Sequence, residues 1–172
     1  ASRILHTKYV CDWSPDVRSS DLPNRALAAA DRAEATNDFL VNRMLLASTP
    51  EEALGREITV AEVLDNATKE VDGALADQEE VQAAVRHTLG NVYWRLGRHP
   101  QASEQLAQAF EGRRAALWPD HPDTLKSENH YGWTLFFMGK NEEGEALLRD
   151  CLDRRRRVLG PEHPDTLHSV DS

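Results

Sequence analysis

The chain has 172 residues, 40% of them hydrophobic and 28% charged, with a formal net charge of −9. That length suffices for one domain with a sizeable core, and the acidic balance (pI about 5.2) argues against non-specific nucleic-acid or anionic-membrane binding. No apolar run approaches the roughly 20 residues of a membrane-crossing helix, no charged-then-apolar start suggests a signal peptide, and the two cysteines, Cys11 and Cys151, form neither a metal pattern nor a disulfide framework, so a reducing, cytoplasmic setting is expected.

Residues 1–22 show no helical or strand period. The stretch from Cys11 to Leu22 resembles the in-frame translation of a common sequencing-library adapter, from which Pro15 and Arg18 depart. A non-native or disordered segment is expected there, outside the fold. Residues 23–77 read as leader helices. Asn24 to Leu46 is rich in strong helix formers, with its apolar weight in Phe39, Leu40, Met44 and Leu45. Thr49-Pro50-Glu51-Glu52 has the form of a capping box, and Gly55 soon stops that turn. Thr59-Val60-Ala61-Glu62 repeats the capping logic. The helix it opens carries Val60, Val63, Leu64, Ala67, Val71 and Leu75 at helical spacing. Asp77 with Glu80 is expected to cap the next helix. Its stripe is Val81, Val85, Leu89, Val92 and Leu96, and Gly97 ends it.

Residues 78–172 read as repeats. His121-Pro122-Asp123-Thr124-Leu125 returns 42 residues later as His163-Pro164-Asp165-Thr166-Leu167. Gly90, Gly97, Leu106, Arg113-Arg114, Leu117 and Pro119 have their copies at Gly132, Gly139, Leu148, Arg155-Arg156, Leu159 and Pro161. Identity at a fixed offset means stacked supersecondary units. Helices are expected at about Pro100–Trp118, Pro122–Met138 and Glu142–Leu159, joined by the turns Gly97-Arg98-His99 and Gly139-Lys140-Asn141. Such short turns make antiparallel helical hairpins. The expectation is an all-α solenoid of two full repeats and a third that is cut short.

These residues resemble tetratricopeptide repeats of the kinesin-light-chain type, which share the 42-residue period. The resemblance covers residues 83–167. It rests on Gly90/Gly132, Gly97/Gly139, Ala102/Gly144, Leu106/Leu148 and Ala109/Cys151, and on the segment Arg155–Leu167. Trp118 stands where the second copy has Gly160, so the first inter-repeat loop is expected to differ. Upstream, Phe39–Ser48 and Leu54–Asp65 resemble a leader found in bacterial proteins that join a serine/threonine kinase to such repeats. The resemblance implies a regulatory or docking region of such a kinase, with a membrane anchor of the parent left open. The chain itself has no Gly-rich loop, His-Arg-Asp or Asp-Phe-Gly, and is read as non-catalytic.

The site expectation follows from the same match, which puts the first helix of each hairpin on the concave face. His87, Asn91, Trp94 and Arg95 then face the groove from the first repeat. Asn129, Trp133, Phe136 and Phe137 face it from the second. An Asn can pair with both the N–H and the C=O of an extended peptide, and Trp and Phe supply large contact areas. With Arg95 the one base assigned to the groove, a chaperone C-terminal tail is a poor ligand. The expected partner is a protein or peptide; self-association or a structural spacer role is the alternative. No cofactor is expected. Six of the seven histidines (His87, His99, His121, His130, His163, His168) lack metal-ligand spacing. His-Pro-Asp is also the key tripeptide of J-domain co-chaperones, but its recurrence at the repeat period makes it helix-start punctuation, with Asp and Thr as acceptors for the first N–H groups. Cys151 is expected as a buried packing residue. Arg154 to Arg157 point about 100° apart along a helix and are expected mainly as a solvated face.

Overall fold

A computed structural model describes residues 21–45 and 59–170. The Thr49–Glu52 capping box and the residues up to Ser20 lie outside the described residues. Seven α-helices follow in order: α1 (Asp21–Asp38), α2 (Val60–Ala74), α3 (Glu79–Arg95), α4 (His99–Ala116), α5 (Pro122–Phe137), α6 (Asn141–Val158) and α7 (Pro164–Val170). A π-helical segment, Phe39–Leu45, continues α1. No strand occurs among the described residues, and the all-α expectation holds. Helix α1 starts at Asp21, inside the stretch expected to be foreign.

The hairpins are α3–α4 and α5–α6, and α4 packs on α5 as α6 does on α7. Each hairpin turn is closed in the same way. Gly97 and Gly139 adopt φ of 72° and 78°, a region glycine enters without a Cβ penalty. Arg98 N–H then reaches Tyr93 O at 2.9 Å, and Lys140 N–H reaches Leu135 O at 3.0 Å. These 6→1 bonds satisfy carbonyls that a helix end leaves open.

Helix α2 begins as expected: Thr59 Oγ1 accepts from Glu62 N–H at 3.2 Å, and Glu62 Oε2 accepts from Thr59 N–H at 2.9 Å. Its buried Leu64, Ala67 and Val71 stand 42 residues before Leu106, Ala109 and Arg113, so α2 occupies the frame of α4 and α6. Val71, Val81 and Val85 join Phe39, Leu64, Leu89 and Tyr93 in one apolar core. Fully burying one such aliphatic side chain contributes about 1.5–3 kcal/mol. Tyr93 adds a polar tie: its hydroxyl donates to Asp65 Oδ1 at 2.7 Å.

Three local expectations need correction. Gln78, not Asp77, is the N-cap of α3, and no side chain caps it. The acidic Glu79 and Glu80 in the first turn serve the helix dipole instead. Val60 and Leu96 stand at helix ends and are exposed rather than part of the apolar stripes.

Within the second hairpin the helices nearly touch. A Cβ on Gly144 would stand 2.8 Å from Gly132 O and 3.0 Å from Phe136 N, both backbone atoms that cannot rotate away. The first hairpin carries Ala102 at the matching place, fully buried. Gly144→Ala should therefore push α5 and α6 apart and cost about 1–3 kcal/mol. Denaturant titration checks this, and an unchanged midpoint would show that the crossing has slack.

Candidate functional site: a groove lined by the first helices

The His-Pro-Asp segments start α5 and α7, but not through the acceptors expected. The His121 ring itself caps: its Nδ1 accepts from Asp123 N–H at 3.1 Å, and His163 does the same for Asp165 at 3.1 Å. Thr124 donates its hydroxyl back to Trp118 O at 3.0 Å rather than accepting. The Trp118 ring meets His121 edge-on at 4.6 Å, whereas Gly160 turns with φ 93°, so the two loops do differ.

Residues of α3, α5 and α7 together line an open cavity of about 540 Å³. Asn91, Trp94 and Arg95 come from α3; Lys126, Asn129, His130, Trp133 and Phe137 from α5; His168 from α7. Six of the eight residues expected to face the groove are thus brought together. Trp94 meets Phe137 edge-on at 5.8 Å, and the Phe137 ring stacks on His99 at 5.7 Å. Phe137 is 57% exposed and Phe136 46%. Phe136 lies outside the cavity lining, packed edge-on against Trp133 at 5.8 Å.

His87 is the other exception, and it is buried beneath the lining. Its Nδ1 lies 3.0 Å from Ser127 Oγ, and its ring stacks on His130 at 5.0 Å. Burial first, then the charges of Arg113, His130 and Lys126, hold its pKa down at about 2. His130 is held at about 4, by burial and then by Lys126, Arg155, His168 and Arg113. Both rings are therefore neutral at pH 7.

Sequence matching missed Lys126, because its counterpart in the first copy is Ala84. Arg95 is thus not the one base of the groove. None of the described residues that line the cavity is acidic. In a chain of net charge −9 that is a local reversal of sign.

Beneath the lining run two matching polar seams. Arg113 Nη1 donates to Asp123 O and to Ser127 Oγ, both at 2.9 Å. Arg155 Nη1 donates to Asp165 O at 2.7 Å and to Ser169 Oγ at 2.6 Å. Arg155 is 3% exposed, and Arg154 is held by Asp120 at 2.8 Å and Glu128 at 2.9 Å. Only Arg156 and Arg157 of the four-arginine run form a solvated face. The side of α6 that meets α5 and α7 takes the other two inward. Cys151 is fully buried, its thiol donating to Leu125 O at 3.2 Å and pushed up to about 12 by burial, which keeps it an unreactive thiol.

Two family models, both described as tetratricopeptide repeat, match residues 81–143 and 124–165. The repeats themselves are thus established for this part of the chain. Among solved structures, the chain is similar to the crystal structure of a variant of a putative kinesin light chain from Podospora anserina with nearly identical TPR-like repeats. The TM-score is 0.50 at 21% identity, over 87% of this chain and 78% of that one. At that identity the likeness speaks for the fold alone. None of the curated proteins matches. Tetratricopeptide repeats in general are non-catalytic and mediate protein–protein contacts. No described helix is long and apolar enough to cross a membrane.

Proposed function

We propose that the repeats capture an extended segment of a partner protein in the groove between α3, α5 and α7. The observation that carries this reading is the convergence of Asn91, Trp94, Arg95, Asn129, Trp133 and Phe137 on one open cavity. Rigid aromatic faces supply contact area at low entropic cost, and amide groups pair with a backbone. The acid-free lining with Arg95 and Lys126 suits a segment that carries negative charge beside a large apolar side chain. The leader segments support a finer reading, a docking region of a bacterial serine/threonine kinase. A genomic read upstream that lacks a kinase domain sinks that part alone.

Panning the protein against a phage-displayed random peptide library tests the groove. Selected peptides should be acidic and contain an aromatic or large aliphatic residue. Trp133→Ala should weaken them by roughly 30-fold or more, since buried aromatic anchors are worth about 2 kcal/mol or more. Peptides held equally by the variant would move the site elsewhere. No peptide, together with concentration-dependent light scattering, would favour self-association through Trp94, Phe136 and Phe137.

A further inference from the structure

We propose that His130 is a positioning residue: it fixes the Asn91 amide as a donor toward the groove, so that Asn91 reads a partner's backbone carbonyl while Asn129 reads a backbone N–H. The proposal rests on the groove reading above and divides between two residues what each Asn could do alone.

The assignment follows from tracing protons through the seams. Arg113 only donates, so Ser127 Oγ accepts from it, and the same oxygen holds His87 Nδ1 at 3.0 Å. His87 stacks on His130 with the rings 17° apart, which fixes the plane of the second ring. Neutral His130 has one N–H, and its Nδ1 lies 2.7 Å from Asn91 Oδ1. The proton must therefore sit on Nδ1, and it occupies the Asn91 oxygen. Asn91 Nδ2 makes no hydrogen bond among the described residues, and Asn91 lines the cavity.

At Asn129 the roles reverse. Ser169 Oγ accepts from Arg155 at 2.6 Å and donates its own proton to Asp165 O at 3.1 Å. Its remaining acceptor capacity meets Asn129 Nδ2 at 3.5 Å, the outer limit of a hydrogen bond. The Asn129 nitrogen is turned to the seam and its Oδ1 is left as an acceptor. A segment laid from α3 to α5 thus meets a donor at Asn91 and an acceptor at Asn129. Proline, which has no N–H, is excluded opposite Asn129.

Two measurements on the full chain decide the matter. Long-range proton–nitrogen NMR at pH 7 should find His130 as the Nδ1–H tautomer. Binding is then read with the tightest peptide selected from the random library. His130→Phe keeps the stacked ring and removes the donor; it should weaken that peptide about tenfold, the worth of one hydrogen bond near 1.4 kcal/mol. His130→Asn, which returns a donor near Nδ1, should recover most of the loss. In an Asn91→Ala background, His130→Phe should have no further effect. N-methylation of one peptide N–H should cost about tenfold against the unmodified protein and nothing against Asn129→Ala. An Nε2–H tautomer at His130, or an equal loss from His130→Phe with and without Asn91, overturns this proposal alone. A library that yields no groove-binding peptide overturns the groove reading and this proposal with it.

Discussion

Truncating Arg113 to alanine should destabilise the fold by about 3 kcal/mol, more than any surface arginine would. Arg113 is 8% exposed and bridges α4 to the first turn of α5. Removing it takes from Ser127 Oγ and the Asp123 carbonyl the buried donor they share, and loosens the hold on His87 Nδ1. Bonds to a charged donor contribute about 1.5–3 kcal/mol, and a buried orphan group costs a further 1–3 kcal/mol. The packing of α2 on α3 in the same molecule shows that the position does not demand a charge. There Val71 stands in the Arg113 frame and Val85 in the Ser127 frame, both fully buried. Importing that solution tests the argument. Ser127→Val alone should cost about 2 kcal/mol, because it removes one of two acceptors from a buried guanidinium. The pair Arg113→Val with Ser127→Val should cost less than the two single changes summed, by about 1 kcal/mol or more. Additive losses in urea titrations would mean that the bridge contributes nothing as a unit. The seam also sets how α3 stands to α5, so the single variants should weaken peptide capture in parallel.

The repeat frame was legible because one offset governs so much of the chain. Gly97 and Gly139 mark turns that close identically, and the 42-residue match carried Trp94 and Phe137 to one cavity. What stayed illegible has a physical pattern. Lys126 has no basic counterpart in the first copy, so matching by position passes over it. The His121 cap escapes because residue type suggests Asp or Thr as acceptors, while an imidazole nitrogen can do the same work. Arg155 sits in a run of four arginines that composition reads as solvated. Its burial depends on Ser169 and the Asp165 carbonyl, partners from the next helix. Helix α2 hides its place in the array because Val71 replaces the arginine that would have announced it. Packing frame survives such a swap, and side-chain identity does not.

Stability should level off near pH 7 and fall on acidification, for reasons of opposite sign at three buried groups. His87 and His130 are held far below the ordinary histidine value, at about 2 and about 4, first by burial and then by the cations around them. Unfolded, each titrates near 6.5. Below that pH the unfolded chain takes up two protons that the fold refuses, so the fold loses stability as pH falls. Glu128 works the other way. Burial pushes its carboxyl up to about 7, against the pull of Arg154, while unfolded it titrates near 4.5. Between 4.5 and 7 the folded state therefore holds the extra proton at Glu128, and that part of the stability is lost as pH rises through 7. Two protons one way and one the other leave a net uptake of about one proton on unfolding between pH 6.5 and 4.5. One proton corresponds to about 1.4 kcal/mol per pH unit, so acidification from 6.5 to 5 should cost about 2 kcal/mol. Glu128→Gln removes the opposing group. The slope should then approach two protons, about 2.7 kcal/mol per unit. Urea titrations at half-unit intervals read both slopes. A flat profile from 6.5 to 5 in the unmodified chain would mean that the stacked histidines accept protons in the fold, and that the groove floor is open to water.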